Sequence, residues 1–180
     1  MPGRFFALVG PSGVGKDTLL AAVQARRPDL HIARRVITRP PGAGGERFDA
    51  VTEAAFEQLL EAGGFALHWR AHGLCYGIPA MIDGVLAEGR DVVFNGSRAV
   101  LAEAAARYPG IRVLHVTACP ETLARRLAGR GRESDADIAA RLGRADYVLP
   151  EGLPVTAIAN DGPLDEAVAA LLAALQPERV

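Results

Sequence analysis

Gly10-Pro11-Ser12-Gly13-Val14-Gly15-Lys16-Asp17-Thr18 follows directly on the apolar run Phe5 to Val9, and this junction decides the fold. Its glycines at 10 and 15 and its lysine at 16 meet the Gly-x-x-x-x-Gly-Lys spacing of a phosphate loop. Such a loop wraps backbone N–H groups round an anion and feeds a helix whose N-terminus favours negative charge. The flanks are of the required kind. An uninterrupted apolar strand precedes the loop, as in a sheet covered on both faces, and the helical pattern Leu19-Leu20-x-x-Val23 follows it. Residues 10 to 18 are therefore expected to bind ATP through its phosphates. Asp17 departs from the motif, because Ser or Thr normally stands there and offers a hydroxyl to Mg²⁺. A carboxylate also suits that cation, so Asp17, or Thr18 beside it, is the expected metal ligand.

Of twenty basic residues in the chain, Lys16 is the only lysine. Coding bias accounts for the arginines. It does not account for a sole lysine where a mobile ammonium must reach between phosphates, a task the planar guanidinium fork performs poorly. At 180 residues the chain suits one compact domain, 1–180, with room for an insert or a lid. A hydrophobic content of 49% argues against disorder, and a net charge of −1 gives no long-range attraction to nucleic acid or anionic membrane. Cys75 and Cys119 imply no disulfide framework. No apolar run has the length of a membrane span, and the chain enters its first strand without a targeting segment. A soluble, cytoplasmic protein is expected, with neither nucleic acid nor membrane as partner. Oligomeric state stays open, a homodimer included.

Read in order, the chain alternates strands and helices. Strands are expected at 5–9, 31–37, 91–94, 111–117 and 154–159, with helices at 16–25, 79–88, 120–129 and 163–175 between and after them. This is an α/β pattern with a five-stranded parallel core sheet in the P-loop kinase style. Residues 37–78 interrupt it and are expected to form a small inserted subdomain that holds the phosphoryl acceptor. The insert opens with a Pro- and Gly-punctuated loop, 38–46, in which Arg39 and Glu46 are placed to bind a ligand; a plain solvated loop is the alternative. Thr52 caps a helix that Gly63-Gly64 ends, and a hairpin turns about 70–72. Asn95-Gly96-Ser97-Arg98 ends the third core strand, where open α/β sheets bind ligands, although Ser97 serves equally as a helix cap.

Arg126, Arg130, Arg132, Arg141 and Arg144 crowd one stretch. Arg130 and Arg132 flank a glycine at a helix end and form, over 129–138, a lid able to close on ATP and aim its forks at the transferring phosphoryl group. Arg141 approaches from the following helix. Arg126 and Arg144 read as a solvated helix face. Lys16, Arg130, Arg132 and Arg141 are thus the expected catalytic set. No carboxylate besides Asp17 stands out as a general base between the core strands, which favours an acceptor that is itself an ionised phosphate. His68 and His72 lie in a hairpin with no third ligand in view and do not define a zinc site. His68, Trp69 and Tyr76 read as the wall of the acceptor pocket, with simple packing as the competitor. His115, alternating within an apolar strand, reads as structural.

The loop at 10–16, the stretch from Arg39 to Glu46, Tyr76-Gly77, Arg130-Gly131-Arg132-Glu133 and Asn160-Asp161 together resemble the guanylate kinase family over nearly the whole chain. The resemblance implies that Arg39 and Tyr76 hold the acceptor phosphate, that Arg130 and Arg141 stabilise transfer, and that Asn160 lies near the nucleotide base. Three departures stand out. Gly42 replaces the usual second arginine, the acidic residue of the 65–69 region is missing, and the third core strand ends in Asn95 rather than Asp. Without carboxylates to pair with guanine N–H groups, discrimination for GMP is weakened.

Those departures, with Gly15-Lys16-Asp17-Thr18, Phe65-Ala66-Leu67-His68-Trp69 and Val93-x-Asn95-Gly96-Ser97-Arg98, are similar to the ribose 1,5-bisphosphate phosphokinases of phosphonate utilisation. This likeness implies transfer from ATP, with Mg²⁺, to the C1 phosphate of ribose 1,5-bisphosphate. Arg39, Glu46, His68, Tyr76, Asn95 and Arg98 are the expected acceptor-side residues, Arg98 for the sugar's second phosphate. A guanylate or other nucleoside monophosphate kinase is the alternative enzyme. A guanylate-kinase-like binding module without catalysis is the alternative of another class.

Overall fold

In a computed structural model that describes residues 1–42, 47–129 and 148–176, five strands form a parallel sheet. They are β1 (Phe5–Val9), β2 (His31–Ala33), β7 (Val92–Asn95), β8 (Arg112–Thr117) and β9 (Val155–Ala159), in the order β2-β7-β1-β8-β9. The apolar run of β1 is explained by its central place, with both faces covered. Phe6 and Leu8 pack with Leu19, Leu20 and Val23 of α1 (Lys16–Arg26) and with Val168 and Leu171 of α6 (Leu164–Ala174). Phe5, Ala7 and Val9 pack on the other face with Phe94, Val113 and Leu101. At the far end of the sheet from the loop, Arg4 grips Asp91 and the carbonyls of Leu175 and Gln176, fastening β1 to the last helix. The P-loop kinase architecture expected from the alternating pattern is the one observed. No helix among the described residues is long and apolar enough to cross a membrane.

The single strand expected at 31–37 is two strands. β2 belongs to the parallel sheet, whereas β3 (Val36–Ile37) pairs with β4 (Asp49–Ala50) and β6 (Leu74–Pro79) in a second sheet ordered β4-β3-β6-β5. The break falls at Arg34-Arg35, charged residues that a doubly covered sheet cannot hold without partners. Arg34 pairs with Asp49 at 2.8 Å, and the Arg35 guanidinium lies 5.1 Å above the Tyr76 ring.

In the second sheet β5 (Phe65–Ala71) and β6 form an antiparallel hairpin with Trp69 opposite Tyr76. Its turn is narrower and later than expected: His72 and Gly73, with φ of 52° and 74°, join Ala71 to Leu74. Two consecutive positive φ values match the right-handed twist of a two-residue hairpin. Helix α2 (Glu53–Glu61) covers the face bearing Phe65, Cys75 and Val36 through Phe56. Thr52 Oγ1 accepts from Ala55 N at 3.2 Å, as its position before the helix suggested. Gly63, at φ 70°, closes the other end: Gly63 N reaches Leu60 O and Gly64 N reaches Leu59 O, the paired bonds of a Schellman cap.

Pro79 ends β6 opposite Phe65 instead of opening a helix, and α3 (Ile82–Ala87) starts three residues later. The Ala80 N bond to Gly64 O holds the chain beside the sheet at that point. A short 3₁₀ turn, Arg98–Val100, precedes α4 (Leu101–Arg107), and Ser97 Oγ accepts from Ala99 N at 3.3 Å, so Ser97 caps it. Helix α5 runs Pro120–Gly129, and the lid expected over 129–138 lies, apart from Gly129, outside the described residues.

Candidate active site

The carboxyl ends of β1, β7 and β8 meet at the phosphate loop. Two of its glycines are required by close approach. A Cβ on Gly10 would lie 2.4 Å from Val116 O, and one on Gly15, at φ 100°, would lie 2.7 Å from the amide nitrogen of Asn160. Helix α1 starts at Lys16 behind Gly15, a cap residue with no side chain to offer its N–H groups. Its first N–H groups therefore face outward as donors for an anion, with the positive end of the helix dipole behind them. Lys16 folds back across the loop, its Nζ donating to Gly10 O at 2.8 Å and Pro11 O at 3.3 Å. His115, paired with Val9 in the neighbouring strand, is held below the ordinary imidazole range by burial and, second, by the Lys16 charge.

Asp17, one residue into α1, accepts from Asn95 Nδ2 at 2.7 Å. Asn95 is 5% exposed and its Oδ1 has no hydrogen-bond partner among the described residues. Thr18 and Ser12 are exposed. Among the described residues no three His, Cys, Asp or Glu side chains cluster. A cation at this place would find Asp17 as its protein carboxylate and take its remaining oxygens from phosphate and water, the coordination Mg²⁺ prefers. The donor set and the orphaned amide oxygen both fit such an ion.

Behind the loop sits a clamp. Asn160 is 4% exposed and donates its Nδ2 to Val14 O at 2.8 Å. Arg126 Nη1 donates to the same oxygen at 3.1 Å, and its Nη2 to Asn160 O at 2.7 Å. The reading of Arg126 as part of a solvated face is thus corrected: the guanidinium is spent on two backbone carbonyls. A signal for this was present, since Arg126 lies one turn on from Thr122 and Leu123, both buried. Asp161 caps the start of α5 by accepting from Cys119 N at 2.7 Å, and this bond holds its carboxyl below the usual range.

On the second sheet, Arg39 Nη2 lies 3.5 Å from the Tyr76 hydroxyl and its guanidinium 5.4 Å over the Phe48 ring. Thr38 anchors the start of that segment by bonding Cys75 through both its backbone N–H and its hydroxyl. Tyr76 stacks on Trp69 at 5.2 Å with the planes 8° apart. Both rings are buried in the main core, so packing is the role the structure gives Trp69. His68 pairs with Gly77 and therefore points to the other face of the hairpin, the side on which Arg70 reaches Glu57 of α2. Lys16, Asp17 and Asn95 are brought together, as are Arg39 and Tyr76; His68 does not share the Tyr76 face. Arg98 is exposed on the 3₁₀ turn that packs beside β5. Glu46, Arg130, Arg132, Arg141 and Arg144 lie outside the described residues.

No protein-family model matches the chain. It is 51% identical over 178 residues to ribose 1,5-bisphosphate phosphokinase PhnN of Ruegeria sp. (strain TM1040), a match spanning 98% of this chain and 94% of that one. A protein of the same name from Pseudomonas paraeruginosa (strain DSM 24068 / PA7) is 50% identical over 184 residues, spanning 99% and 98%. Among solved structures, the guanylate kinase of Anaplasma phagocytophilum superposes with a TM-score of 0.66 over 97% of this chain and 85% of that one. At 18% identity, this second likeness speaks for the fold alone.

Proposed function

Because the chain belongs to the ribose 1,5-bisphosphate phosphokinase family, we propose that its site moves the γ-phosphoryl group of ATP to the C1 phosphate of ribose 1,5-bisphosphate, giving 5-phospho-α-D-ribose 1-diphosphate and ADP. An oxygen of the acceptor phosphate forms a bond to the γ-phosphorus as the bond to the ADP oxygen breaks. The acceptor's second ionisation lies near pH 6, so it arrives as an anion and no general base is needed. That agrees with a site whose carboxylate, Asp17, is already engaged with Asn95.

The α1 N-terminus and the loop N–H groups hold the donor phosphates. Lys16 leaves its two carbonyl partners to lie between the β- and γ-phosphates. Mg²⁺, when bound, neutralises charge on the phosphate oxygens, and Asp17 is the residue that would hold it, with Thr18 as the alternative. Residues 37–78 form the acceptor side, where Arg39 and Tyr76 take the sugar bisphosphate. Arg130, Arg132 and Arg141 stabilise the transferring group from the lid. A cytoplasmic enzyme, with ATP at hand, is the setting this chemistry suits.

The observation that carries the substrate reading is the 51% identity over nearly the full length of a ribose 1,5-bisphosphate phosphokinase, and the 65–69 segment agrees with it. Phe65-Ala66-Leu67-His68-Trp69 contains no acidic residue, so this segment offers no carboxylate to guanine N–H groups. ATP turnover measured with ribose 1,5-bisphosphate, GMP, AMP and no acceptor tests it. The sugar bisphosphate is expected to give the highest kcat/KM; a preference for GMP would overturn the substrate, and binding without turnover would leave a non-catalytic module.

A further inference from the structure

Two departures from the phosphate-loop pattern touch each other. The helix position that usually carries a hydroxyl holds Asp17, and the strand end that in P-loop nucleotide hydrolases carries a Mg²⁺-holding aspartate holds Asn95; the two side chains are hydrogen-bonded at 2.7 Å. We propose that they are one exchanged pair: the carboxylate serving the cation has moved from the end of β7 to the start of α1, and Asn95 is the positioning residue that aims it. This rests on the phosphoryl-transfer reading above.

The geometry is specific. Leu8 of β1 is in register with Asn95, so the end of β7 lies directly beside the entry to the loop. Val93 packs in the cluster that contains Leu19 and Leu20 of α1, whereas Phe94 packs on the opposite face. Asn95, two residues beyond Val93, accordingly points to the α1 side and not toward the second sheet. A carboxylate only accepts, so the amide must present Nδ2 to Asp17 and its orientation follows from chemistry. One Asp17 oxygen is thereby fixed, and the other is left for the ion.

That orientation also defines what Asn95 Oδ1 can do. It is buried and meets no donor among the described residues, which is unfavourable unless a ligand supplies one. A water in the shell of a hydrated cation is an O–H donor of the right kind, since Mg²⁺ keeps several waters when it binds phosphates and one carboxylate. The pair thus keeps a single negative charge. Carboxylates at both positions would repel at hydrogen-bond distance, and hydroxyl plus amide would leave the cation no charged protein ligand. Asn95, expected on the acceptor side, is reassigned to the metal side.

The test is the affinity for a non-hydrolysable ATP analogue, measured by calorimetry with Mg²⁺ and again with EDTA, and without sugar. In the wild type Mg²⁺ should tighten binding. Asp17→Ser and Asn95→Leu should each reduce that gain by about tenfold or more, the usual effect of removing a ligand or its support, with affinity in EDTA no weaker than that of the wild type, since losing the Asp17 charge can only ease repulsion of the metal-free phosphates. The double variant Asp17→Ser/Asn95→Asp should recover most of what Asp17→Ser loses. No recovery, or an undiminished gain in Asp17→Ser, overturns the exchange. If the double variant loses EDTA binding as well, Asn95→Leu decides: an unaltered Mg²⁺ gain, or an effect confined to the sugar KM, overturns the assignment. A wild type that binds the analogue in neither condition brings down the phosphoryl-transfer reading itself.

Discussion

The side-chain amide of Asn160 donates to the carbonyl oxygen of Val14 across 2.8 Å, a buried bond between residues 146 apart in the chain. Arg126 shares that oxygen and ties back to Asn160 through a second bond. The shape of the phosphate loop is therefore imposed from β9 and α5, not by the loop alone. Asn160→Ala removes a buried donor, which should cost about 1–3 kcal/mol of stability. Because the loop then relaxes, the KM for ATP should rise more than the KM for the acceptor. Steady-state kinetics with each substrate varied, beside a thermal melt, separate the two effects; a lower Tm with an unchanged ATP KM would limit the clamp to stability.

Tyr76 contributes a ring to the core and a hydroxyl to the acceptor side. Its stack on Trp69 and its place beneath Arg35 need only the ring, whereas the hydroxyl stands 3.5 Å from Arg39. Tyr76→Phe should leave the melting temperature nearly unchanged and raise the acceptor KM several-fold, with the ATP KM constant. Tyr76→Ala should do something different in kind, costing about 3–5 kcal/mol as an aromatic deletion in a core. An acceptor KM indifferent to Tyr76→Phe would confine the residue to packing.

Legibility followed sequence distance. The junction of β1, loop and α1 was readable because apolar run, glycines and helical spacing lie within one stretch. The caps at Thr52 and Gly63 were readable for the same reason. By contrast, the division of 31–37 between two sheets depends on β7 and β6, strands far along the chain; Arg34-Arg35 marks where it falls but not which sheet each half joins. The hairpin turn fell on His72 and Gly73, without the Asn-Gly or Asp-Gly pair that announces such a turn, because the Trp69–Tyr76 register leaves only two residues to turn. Asp17 and Asn95 were each visible as departures, yet the bond that joins them spans 78 residues. Arg126 was misread because charge suggested solvent, when two carbonyls supplied its partners.

Acid should destabilise the fold in a window set first by histidines. His31 is held below its ordinary 6.5 by burial and then by Arg90, and His115 by burial and then by Lys16. With folded values depressed, the unfolded chain takes up protons first as pH falls. Each histidine's contribution is complete above 6.5 and is lost as pH drops from there through the lowered folded value. Asp29, lowered by its bond to Arg27, and Asp161 act in the same direction but only on acidification below 3.8. Urea midpoints between pH 8 and 5 should therefore decline below about 6.5, and His31→Gln, which cannot titrate, should show a shallower decline. An identical slope in both proteins would clear His31 of the effect.

Lys16 offers a test that separates charge from shape. Its ammonium rests on Gly10 O and Pro11 O, close enough to depress the imidazole of His115. Lys16→Met removes the charge and should lower kcat/KM by about 10²–10³, the loss typical of a missing donor at a developing charge. The same change should let the His115 pKa rise, although burial, the larger cause, keeps it below the ordinary value. Lys16→Arg should keep His115 depressed, because the charge remains, yet fail to restore turnover, because a rigid fork cannot take the place of a point charge on a flexible stem. Proton NMR of the histidine ring hydrogens reports the first quantity and a coupled ADP assay the second. Full turnover in Lys16→Arg would mean that positive charge alone suffices here, and an unmoved His115 in Lys16→Met would mean that the two groups do not sense each other.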